Sequence, residues 1–587
     1  MAEVMAPGSM LAEIEAKPAG DARGRTPARA SADPSLPRIA VVIVTWNRRE
    51  WVSGVLGALW RQTYPAANLD VVIVDNASSD GTLEHLSEAW SPDLIVDNAT
   101  PRAHEPNFAE RHACDRAGGS NRAGFASLTI VRNSDNHGGC GGFNTGFAFV
   151  ERFLHGGGGS LAATRPDYVW LLDDDIDVAE WTASSLVRVA EADRTIGLVG
   201  ARTMDLGDRE TTIETTVYFD PETGVMGDEP APGHRLRASH MAWASTVGGP
   251  KYGSGYAGVR EVDVVSACCM LARWNAVKKV GFWDWRYFIY CDDADWCLRF
   301  AREGYRVVHN LDAVVYHTPW HYKLTPARLY YAQRNGVWML QKTLSGSALR
   351  RATRRRMRTI LKEGLVCVFR RRMTHAALSF RTVEDVVGGV AGKLDFPMPR
   401  QEETVAALGR IGALQHGAKI AVLIDNEEQL CAAEAMRACV RAEREGPNVG
   451  ASLAAGAARD GRDEPRWVYI MHNAIERAED REFAEIGSVR PERIVVSRRR
   501  RSMVRRQIPL WRDPPAAVVV FDQFNMMPLL TGRWNVHVEA KNVGSCTVER
   551  DGWEEKLSLL KRGARALVAA EKYARNVRPA PRGAKYG

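Results

Sequence analysis

Three consecutive carboxylates, Asp173, Asp174 and Asp175, close an apolar run in YVWLLDDDI, the stretch from Tyr168 to Ile176. Adjacent like charges repel, so a site that keeps them usually has a cation to share. A second acidic group follows in FIYCDDADW, with Asp292, Asp293 and Asp295, and then a lone histidine, His317, in VVYHTPW. Strand-end carboxylates, a further acid pair and an imidazole are the parts of a metal site beside a general base. That set suits metal-assisted transfer from a nucleotide diphosphate. Taken singly, each part has a plainer reading: the three aspartates as a solvated loop or helix cap, His317 as a structural histidine, Asp292 and Asp293 as caps. Two acids plus Asp295 in one turn nevertheless exceed what capping asks for.

The elements that must carry these residues read as α/β. RIAVVIVTWNR (Arg38 to Arg48) is a buried strand ending in polar residues, an amphipathic helix follows from Glu50 to Gln62, and LDVVIVDNASSDGT (Leu69 to Thr82) is a second strand. Strand, helix and strand at this spacing make a right-handed βαβ unit. Ligands of such sheets collect beyond the carboxyl ends of the strands, where Thr45, Asn47, Asp75 and Asn76 would lie. The segment from Ser91 to Ser127 is polar and irregular, and has no assigned role. A strand from Ser127 to Val131 then leads to a glycine-rich turn and a helix, in SLTIVRNSDNHGGCGGFNTGFAFVERFL. Gly138, Gly139, Gly141 and Gly142 allow close backbone approach to a ligand, and a helix start favours anions. The spacing is not that of a P-loop, and such glycines are commonly just turns. GGGGS (Gly156 to Ser160) reads as a flexible loop before the YVWLL strand. A helix and strand are expected from Trp181 to Val199, and the Gly-, Pro- and charge-rich region to Gly258 as a hairpin or mobile lid. A buried strand from Val262 to Leu271 precedes a helix that starts near Asp292, ends before Gly304 and turns Cys297, Leu298 and Phe300 to a core. Carboxylates in its first turn are favoured by the helix dipole. A strand ending at Val315 and Tyr316 presents His317.

Composition sets the frame. The 587 residues exceed one ordinary core, and 45% hydrophobic with 25% charged residues is the balance of globular protein. The first 37 residues, rich in Ala, Pro, Gly and charge and without a signal peptide's apolar centre, read as a disordered leader, which predicts a cytosolic protein. The ten cysteines form no C-x-x-C pair and no zinc-spaced grouping, so reduced thiols are expected. The net charge of +7 is modest but uneven: arginines cluster at Arg350 to Arg358, Arg370 to Arg372 and Arg498 to Arg506. Such clusters suit nucleic acid, anionic lipid or phosphorylated substrates. Ala327 to Leu344 and Ser347 to Phe369 read as basic amphipathic helices suited to an anionic membrane surface, with a solvated arginine face or an oligomer contact as the alternatives. Past Gly389, apolar strands in KIAVLIDN, RWVYIMH, RIVVS and AAVVVFDQF alternate with helices and predict a small Rossmann-like sheet without a phosphate fingerprint.

In this order, VVIVTWNR, VDNASSDGT, NHGGCGGFNTG, WLLDDDI, FIYCDDADWCLRFAREGYRV and VVYHTPW resemble the inverting family 2 glycosyltransferases of GT-A fold, over about Arg38 to Trp338. The likeness extends to bacterial cell-wall galactofuranosyltransferases. The resemblance implies a GT-A domain at 38–325, while the patterning gives a basic helical segment at 326–388 and a second α/β domain at 389–587. It places Asp75 at the nucleotide base or ribose with Thr45 and Asn47 close by. It makes Asp173, Asp175 and His317 ligands of Mn2+ or Mg2+, puts Asp174 beside them, and makes Asp293 the general base with Asp292 orienting the acceptor. Asn136, Gly139, Gly142 and Asn144 match the family's donor-contacting stretch. The implied partners are a nucleotide diphosphate sugar, with UDP-galactofuranose first, and a glycan or lipid-linked acceptor, but no nucleic acid.

Two departures bear on the sugar. The galactan-elongating enzymes carry a tryptophan pair where this chain has Ala267 and Cys268, and a β-rich domain precedes their catalytic one. A rhamnosyltransferase using dTDP-rhamnose therefore fits nearly as well. A sugar nucleotidyltransferase would want a glycine-rich basic loop after the first strand, which TWNRREW does not supply, and a non-catalytic carbohydrate- or anion-binding protein is recommended only by the arginine clusters.

Overall fold

The structure is a computed structural model that describes residues 32–100, 105–113, 124–156, 164–247, 256–319, 325–424, 426–445, 465–472, 492–496, 513–521, 532–540, 542–550 and 552–580. The leader to residue 31, most of GGGGS, Trp320 and the arginine cluster at 498–506 lie outside the described residues. The chain divides into two compact units, one formed by Met1–Arg356, Gly388–Leu394 and Ala574–Gly587, the other by Met357–Val387 and Asp395–Tyr573.

The first unit begins with β1 (Ile39–Thr45), α1 (Arg49–Trp60), β2 (Leu69–Asp75), α2 (Thr82–Trp90), β3 (Leu94–Asn98), β4 (Phe108–Ala113) and β5 (Ser127–Asn133). Helix α3 (Gly138–Phe149), β6 (Tyr168–Asp173), β7 (Ile176–Val178), α4 (Thr182–Ala192), β8 (Ile196–Asp205) and β9 (Thr212–Glu214) follow. A hairpin of β10 (Tyr218–Asp220) and β11 (Val225–Gly227), α5 (Arg237–Val247), β12 (Val259–Glu261), β13 (Cys269–Arg273), α6 (Trp274–Val280), α7 (Asp292–Arg302) and β14 (Arg306–His317) complete the sheet region. The sheet runs β12-β14-β8-β13-β6-β1-β2-β5-β3-β4, with β7 on β14 and β9 on β8. Neighbours from β6 through β1, β2 and β5 to β3 are parallel, and β13 is antiparallel to both β6 and β8.

Buried parallel strands are apolar on both faces, and β1 shows why. Its Ala40 and Val42 join a core with Phe143, Phe147, Trp274 and Trp296 of α3, α6 and α7. Its Ile39, Val41 and Ile43 join a second core with Val52, Leu56, Leu86 and Leu186 of α1, α2 and α4. Alternation along the strand thus sandwiches the sheet between two helical layers. The irregular segment after Ser91 holds β3 and β4, and the Gly- and Pro-rich region holds the β10–β11 hairpin and α5, with 248–255 outside the described residues.

The stretch expected as a distinct basic segment does not stand apart. Helix α8 (Pro326–Thr343) is built into the first unit, with Arg334 and Asn335 0% exposed, whereas α9 (Gly346–Phe369) carries exposed Arg350, Arg351 and Arg355. After α10 (Met373–Gly388) the second unit contains β15 (Gln401–Glu403), α11 (Thr404–Arg410), β16 (Lys419–Ile424), α12 (Glu427–Glu445), β17 (Arg466–His472) and β18 (Glu492–Val496). It ends with β19 (Ala517–Phe521), β20 (Trp534–Glu539), β21 (Asn542–Arg550) and α13 (Trp553–Asn576). Its sheet runs β15-β21-β20-β19-β16-β17-β18, parallel from β20 to β18. Both units are therefore α/β, as expected. Among the described residues all cysteines are free thiols, and no helix is long and apolar enough to cross a membrane.

Candidate functional site

Register brings the strand-end acids and the imidazole together. Thr45 pairs with Asp75 across β1 and β2, and Val44 with Asp173 across β1 and β6, so these strands end side by side. Strand β7 runs antiparallel to the end of β14 and sets His317 opposite Ile176, next to Asp175. Asp173 closes β6, and Asp174 and Asp175 form the turn into β7. The ligand atoms of Asp173, Asp175 and His317 all lie within 4.8 Å of one another. His317 Nε2 is 3.3 Å from Asp175 Oδ1 and 3.6 Å from Asp173 Oδ2, and Arg48 Nη2 is 3.7 Å from Asp175. Asp174 instead accepts the Thr45 hydroxyl at 2.8 Å. Burial and the Asp175 charge push the Asp174 carboxyl up to about 7, against the pull of Thr45 and Arg48.

Two carboxylates and an imidazole are a donor set that fits Mn2+ or Mg2+: hard oxygens for both, with the nitrogen tipping the preference towards manganese. The site is partly open, Asp173 keeping 39% of its side-chain surface while Asp175 and His317 keep 11% and 15%.

The acid pair opens α7. Asp293 accepts the backbone N–H of Ala294 at 2.7 Å and of Ala267 at 3.4 Å, and Asp292 accepts that of Asp293 at 3.2 Å. Burial pushes the Asp293 carboxyl up to about 6, the two N–H groups pull it down, and the charge of Asp173 adds to the rise. Burial and then the Asp293 charge hold Asp292 well above the usual carboxylate range. Ala267 bonds to Asp293, while the Cys268 carbonyl accepts the Asp173 N–H at 3.3 Å. Ala267 and Cys268 thus link the Asp173, Asp175 and His317 cluster to the acid pair.

A buried ionic cluster anchors α7 from behind. Lys342 Nζ lies 2.7 Å from Asp284 and 2.9 Å from Asp295, with side chains 5%, 0% and 1% exposed. Arg286 pairs with Asp284 at 2.6 Å and Arg299 with Asp295 at 3.1 Å.

The residues expected on the donor side divide. Asp75 is buried and accepts the Ser78 N–H at 3.1 Å, burial raising its carboxyl against that bond. Asn47, at φ 53°, is exposed and holds the turn after β2, its N–H donating to Ser78 Oγ at 2.9 Å and its Oδ1 accepting Ser79 N–H at 2.7 Å. Asn136 caps the start of α3 by accepting the Gly138 N–H at 2.8 Å. The glycines lie inside α3, not in a turn before it, and a Cβ at Gly139 would meet open space.

Three of the residues expected at the donor make close contacts within the fold. A Cβ at Gly142 would lie 2.4 Å from Val44 Cγ1, so this glycine lets α3 press onto β1. Asn144 is 1% exposed and exchanges two 2.9 Å bonds with the Trp283 backbone, which uses both ends of its amide. Asn76, 2% exposed, donates to the Gly138 carbonyl at 2.9 Å and accepts from Asn133 at 2.7 Å, tying β2 to the start of α3. Both buried amides thus find hydrogen-bond partners inside the protein.

Sequence reasoning missed Trp46, Arg48 and Glu214. Trp46 is 51% exposed at the end of β1, where its motif placed it in plain sight. Glu214, at the end of β9, is raised to about 7 by burial and then by the Asp293 charge, and faces buried His309 at 3.8 Å. Burial pushes His309 down to about 4. Nothing in the Gly- and Pro-rich sequence around Glu214 signals that it sits near the acid pair. A separate recess of about 640 Å³ lies at the opposite, amino-terminal edge of the strands, lined by Pro37, Tyr64, Asp167 and Arg188, and holds none of these acids.

Comparison with known proteins gives short and distant likenesses. No family model matches the chain. A stretch of 50 residues is 42% identical to Glycosyltransferase AglE of Haloferax volcanii, which is 8% of this chain and 16% of the archaeal protein. Among solved structures, GalNAc-T7 with UDP, GalNAc and Mn2+ aligns at TM-score 0.37 and 13% identity, over 55% of this chain and 51% of that one. The mannosyltransferase PcManGT from Pyrobaculum calidifontis, in complex with GDP-Man and Mn2+, aligns at 0.32 and 15%, over 69% and 85%. S. aureus TarS aligns at 0.34 and 14%, over 60% and 49%. The chain thus spans about half the length of GalNAc-T7 and TarS, and a sixth of AglE.

Proposed function

We propose that the chain is a metal-dependent, inverting glycosyltransferase with a GT-A-type first unit, moving a sugar from a nucleotide diphosphate to an acceptor alcohol. The observation that carries this reading is the meeting of Asp173, Asp175 and His317 within 4.8 Å, at a distance from Asp293 over which the charge of Asp173 is still felt. The AglE likeness points the same way.

Asp173, Asp175 and His317 would hold the divalent ion, which supplies neutralisation of the charge on the departing diphosphate. Asp293 receives the acceptor hydroxyl's proton as its oxygen bonds to the anomeric carbon and the bond to the diphosphate breaks. A single displacement inverts that carbon. Asp292, its neighbour, orients the acceptor. In this reading Asp75 and Asn47 meet the nucleoside, and the exposed Trp46 supplies an aromatic face.

UDP-galactofuranose is the first donor, with a cell-envelope glycan or lipid-linked acceptor. The small Ala267 and buried Cys268 between the two acid groups favour a second reading, rhamnosyl transfer from dTDP-rhamnose, because these two positions carry no aromatic ring for a galactan. The exposed arginines of α9 suit an anionic membrane surface on the cytosolic side, where a lipid-linked acceptor would be met.

The test is thermal stability with UDP and dTDP, and with UDP-galactofuranose and dTDP-rhamnose, each with Mn2+, Mg2+ or chelator. A ligand that binds the folded state raises its apparent stability. Stabilisation should need the cation and vanish in Asp175→Asn. Stabilisation indifferent to chelator removes the metal, and none with any of the four ligands, or with GDP and GDP-mannose beside them, removes the glycosyltransferase.

A further inference from the structure

The residues leading into the acid pair are held against the backbone's own preference. Phe288, Tyr290 and Cys291 have φ of 66°, 68° and 62°. Side-chain-bearing residues keep such left-handed conformations only where their surroundings impose them.

What imposes them is on α8. Asn335 Nδ2 lies 3.0, 2.8 and 2.8 Å from the carbonyl oxygens of Tyr287, Ile289 and Tyr290. Its Oδ1 accepts from Arg334 Nε at 3.1 Å, which fixes the end of the amide that faces those carbonyls. Arg334 Nη2 donates to the carbonyls of Arg286 and Tyr287 at 3.1 Å each, and Nη1 to that of Gly392 at 2.9 Å. Both side chains are wholly buried. The held loop also reaches the glycine-rich helix. The Phe288 carbonyl accepts the Cys140 N–H at 3.1 Å, and a Cβ on Gly138, at φ 73°, would lie 2.2 Å from that oxygen.

We propose that Asn335, oriented by Arg334, is a positioning residue that presets Asp292 and Asp293 for deprotonation of the acceptor and links them, through the Phe288 carbonyl, to the donor-side end of α3. The proposal rests on the glycosyltransferase reading above. Its physical content is preorganisation: the loop's cost is met on folding, so the carboxylates do not have to be ordered when the acceptor arrives. A role in folding alone would not single out the carbonyls of the residues that adjoin Asp292.

Asn335→Asp tests this in the full chain. It keeps the shape and the partnership with Arg334 but sets an oxygen against the three carbonyls. Asn335→Ala and Arg334→Lys accompany it, the last expected to show the same pattern more weakly. Amide exchange over 287–293 should quicken at least about tenfold in Asn335→Asp while β1, β2 and β6 exchange as before. Transfer kcat should fall by about thirtyfold or more, with donor KM and affinity for UDP with Mn2+ changed less than about threefold. The acid limb of the pH–rate profile should move as well, which a packing defect elsewhere would not cause. Unchanged exchange over 287–293 overturns the proposal, and so does faster exchange with kcat and pH profile intact. If the wild-type protein neither binds UDP with Mn2+ nor turns over UDP-galactofuranose or dTDP-rhamnose, the glycosyltransferase reading fails instead, and exchange alone decides whether the clamp stands.

Discussion

Replacing Lys342 by Met should destabilise the first unit and loosen the helix that begins with the acid pair. Lys342 bridges Asp284 and Asp295 at 2.7 and 2.9 Å, and the three side chains are 5%, 0% and 1% exposed, so water cannot replace the lost cation. Removing one partner of a buried ion pair costs about 3–5 kcal/mol. The lower end applies here, about 3 kcal/mol, because Asp284 keeps Arg286 and Asp295 keeps Arg299. At about 2 °C per kcal/mol for a large domain, the transition should fall by roughly 6 °C. The pH dependence adds a sign. Burial alone would raise Asp284, but Arg286 and Lys342 outweigh it and hold the carboxyl low. A depressed carboxylate contributes stability that is present above its unfolded value, about 3.9, and lost as pH falls through the folded one. Without Lys342 the folded value rises, so the acid loss begins at higher pH. Urea unfolding of the full chain between pH 3 and 7, with Asp295→Asn and the double variant completing a cycle, measures both effects. A cost below about 1 kcal/mol, or a double variant as unstable as the sum of the singles, would show that the cluster is not coupled as its distances imply.

Further outcomes follow from the site. Asp293→Asn should lower transfer about 10²- to 10⁴-fold, as loss of a general base does, with UDP and Mn2+ affinity kept; unchanged turnover in steady-state assays removes the base. Transfer should rise with pH through about 6 as Asp293 gives up its proton. Its contribution to stability runs the other way, because a raised carboxyl binds its proton more tightly in the folded state: it is complete below about 3.9 and lost as pH climbs through the folded value. A pH–rate profile flat from 5 to 7 contradicts the assignment. Gly142→Ala should cost about 1–3 kcal/mol in chemical denaturation, since the new methyl meets Val44. Gly139→Ala meets open space and should stabilise the helix by up to about 1 kcal/mol while weakening nucleotide binding in calorimetry. Unaltered nucleotide affinity there would take Gly139 out of the donor site.

Local pattern made much of this legible. YVWLL before three aspartates, VVYH before a proline, and acids followed by Cys297 and Phe300 at helical spacing each specify a strand or helix with polar residues at a known end. The alternating strands past Gly389 likewise announced a second parallel sheet.

What the chain could not display is anything set by pairing across long sequence distance. The convergence of Asp175 with His317 depends on β7 lying antiparallel to β14, and no local preference encodes that register. Asn144 and Gly142 fit a ligand-binding pattern yet serve the packing of α3, because Trp283 and Val44 arrive from elsewhere. Glu214, Lys342 and Asn335 carry no motif, and their place beside the acid pair or beneath its helix exists only once the layers have closed. Residue types and periodicity determined the chemistry on offer and the elements that bear it. Tertiary structure decided which of those groups come together and which are buried against other partners, because burial and partner geometry belong to the assembled core and not to any single segment.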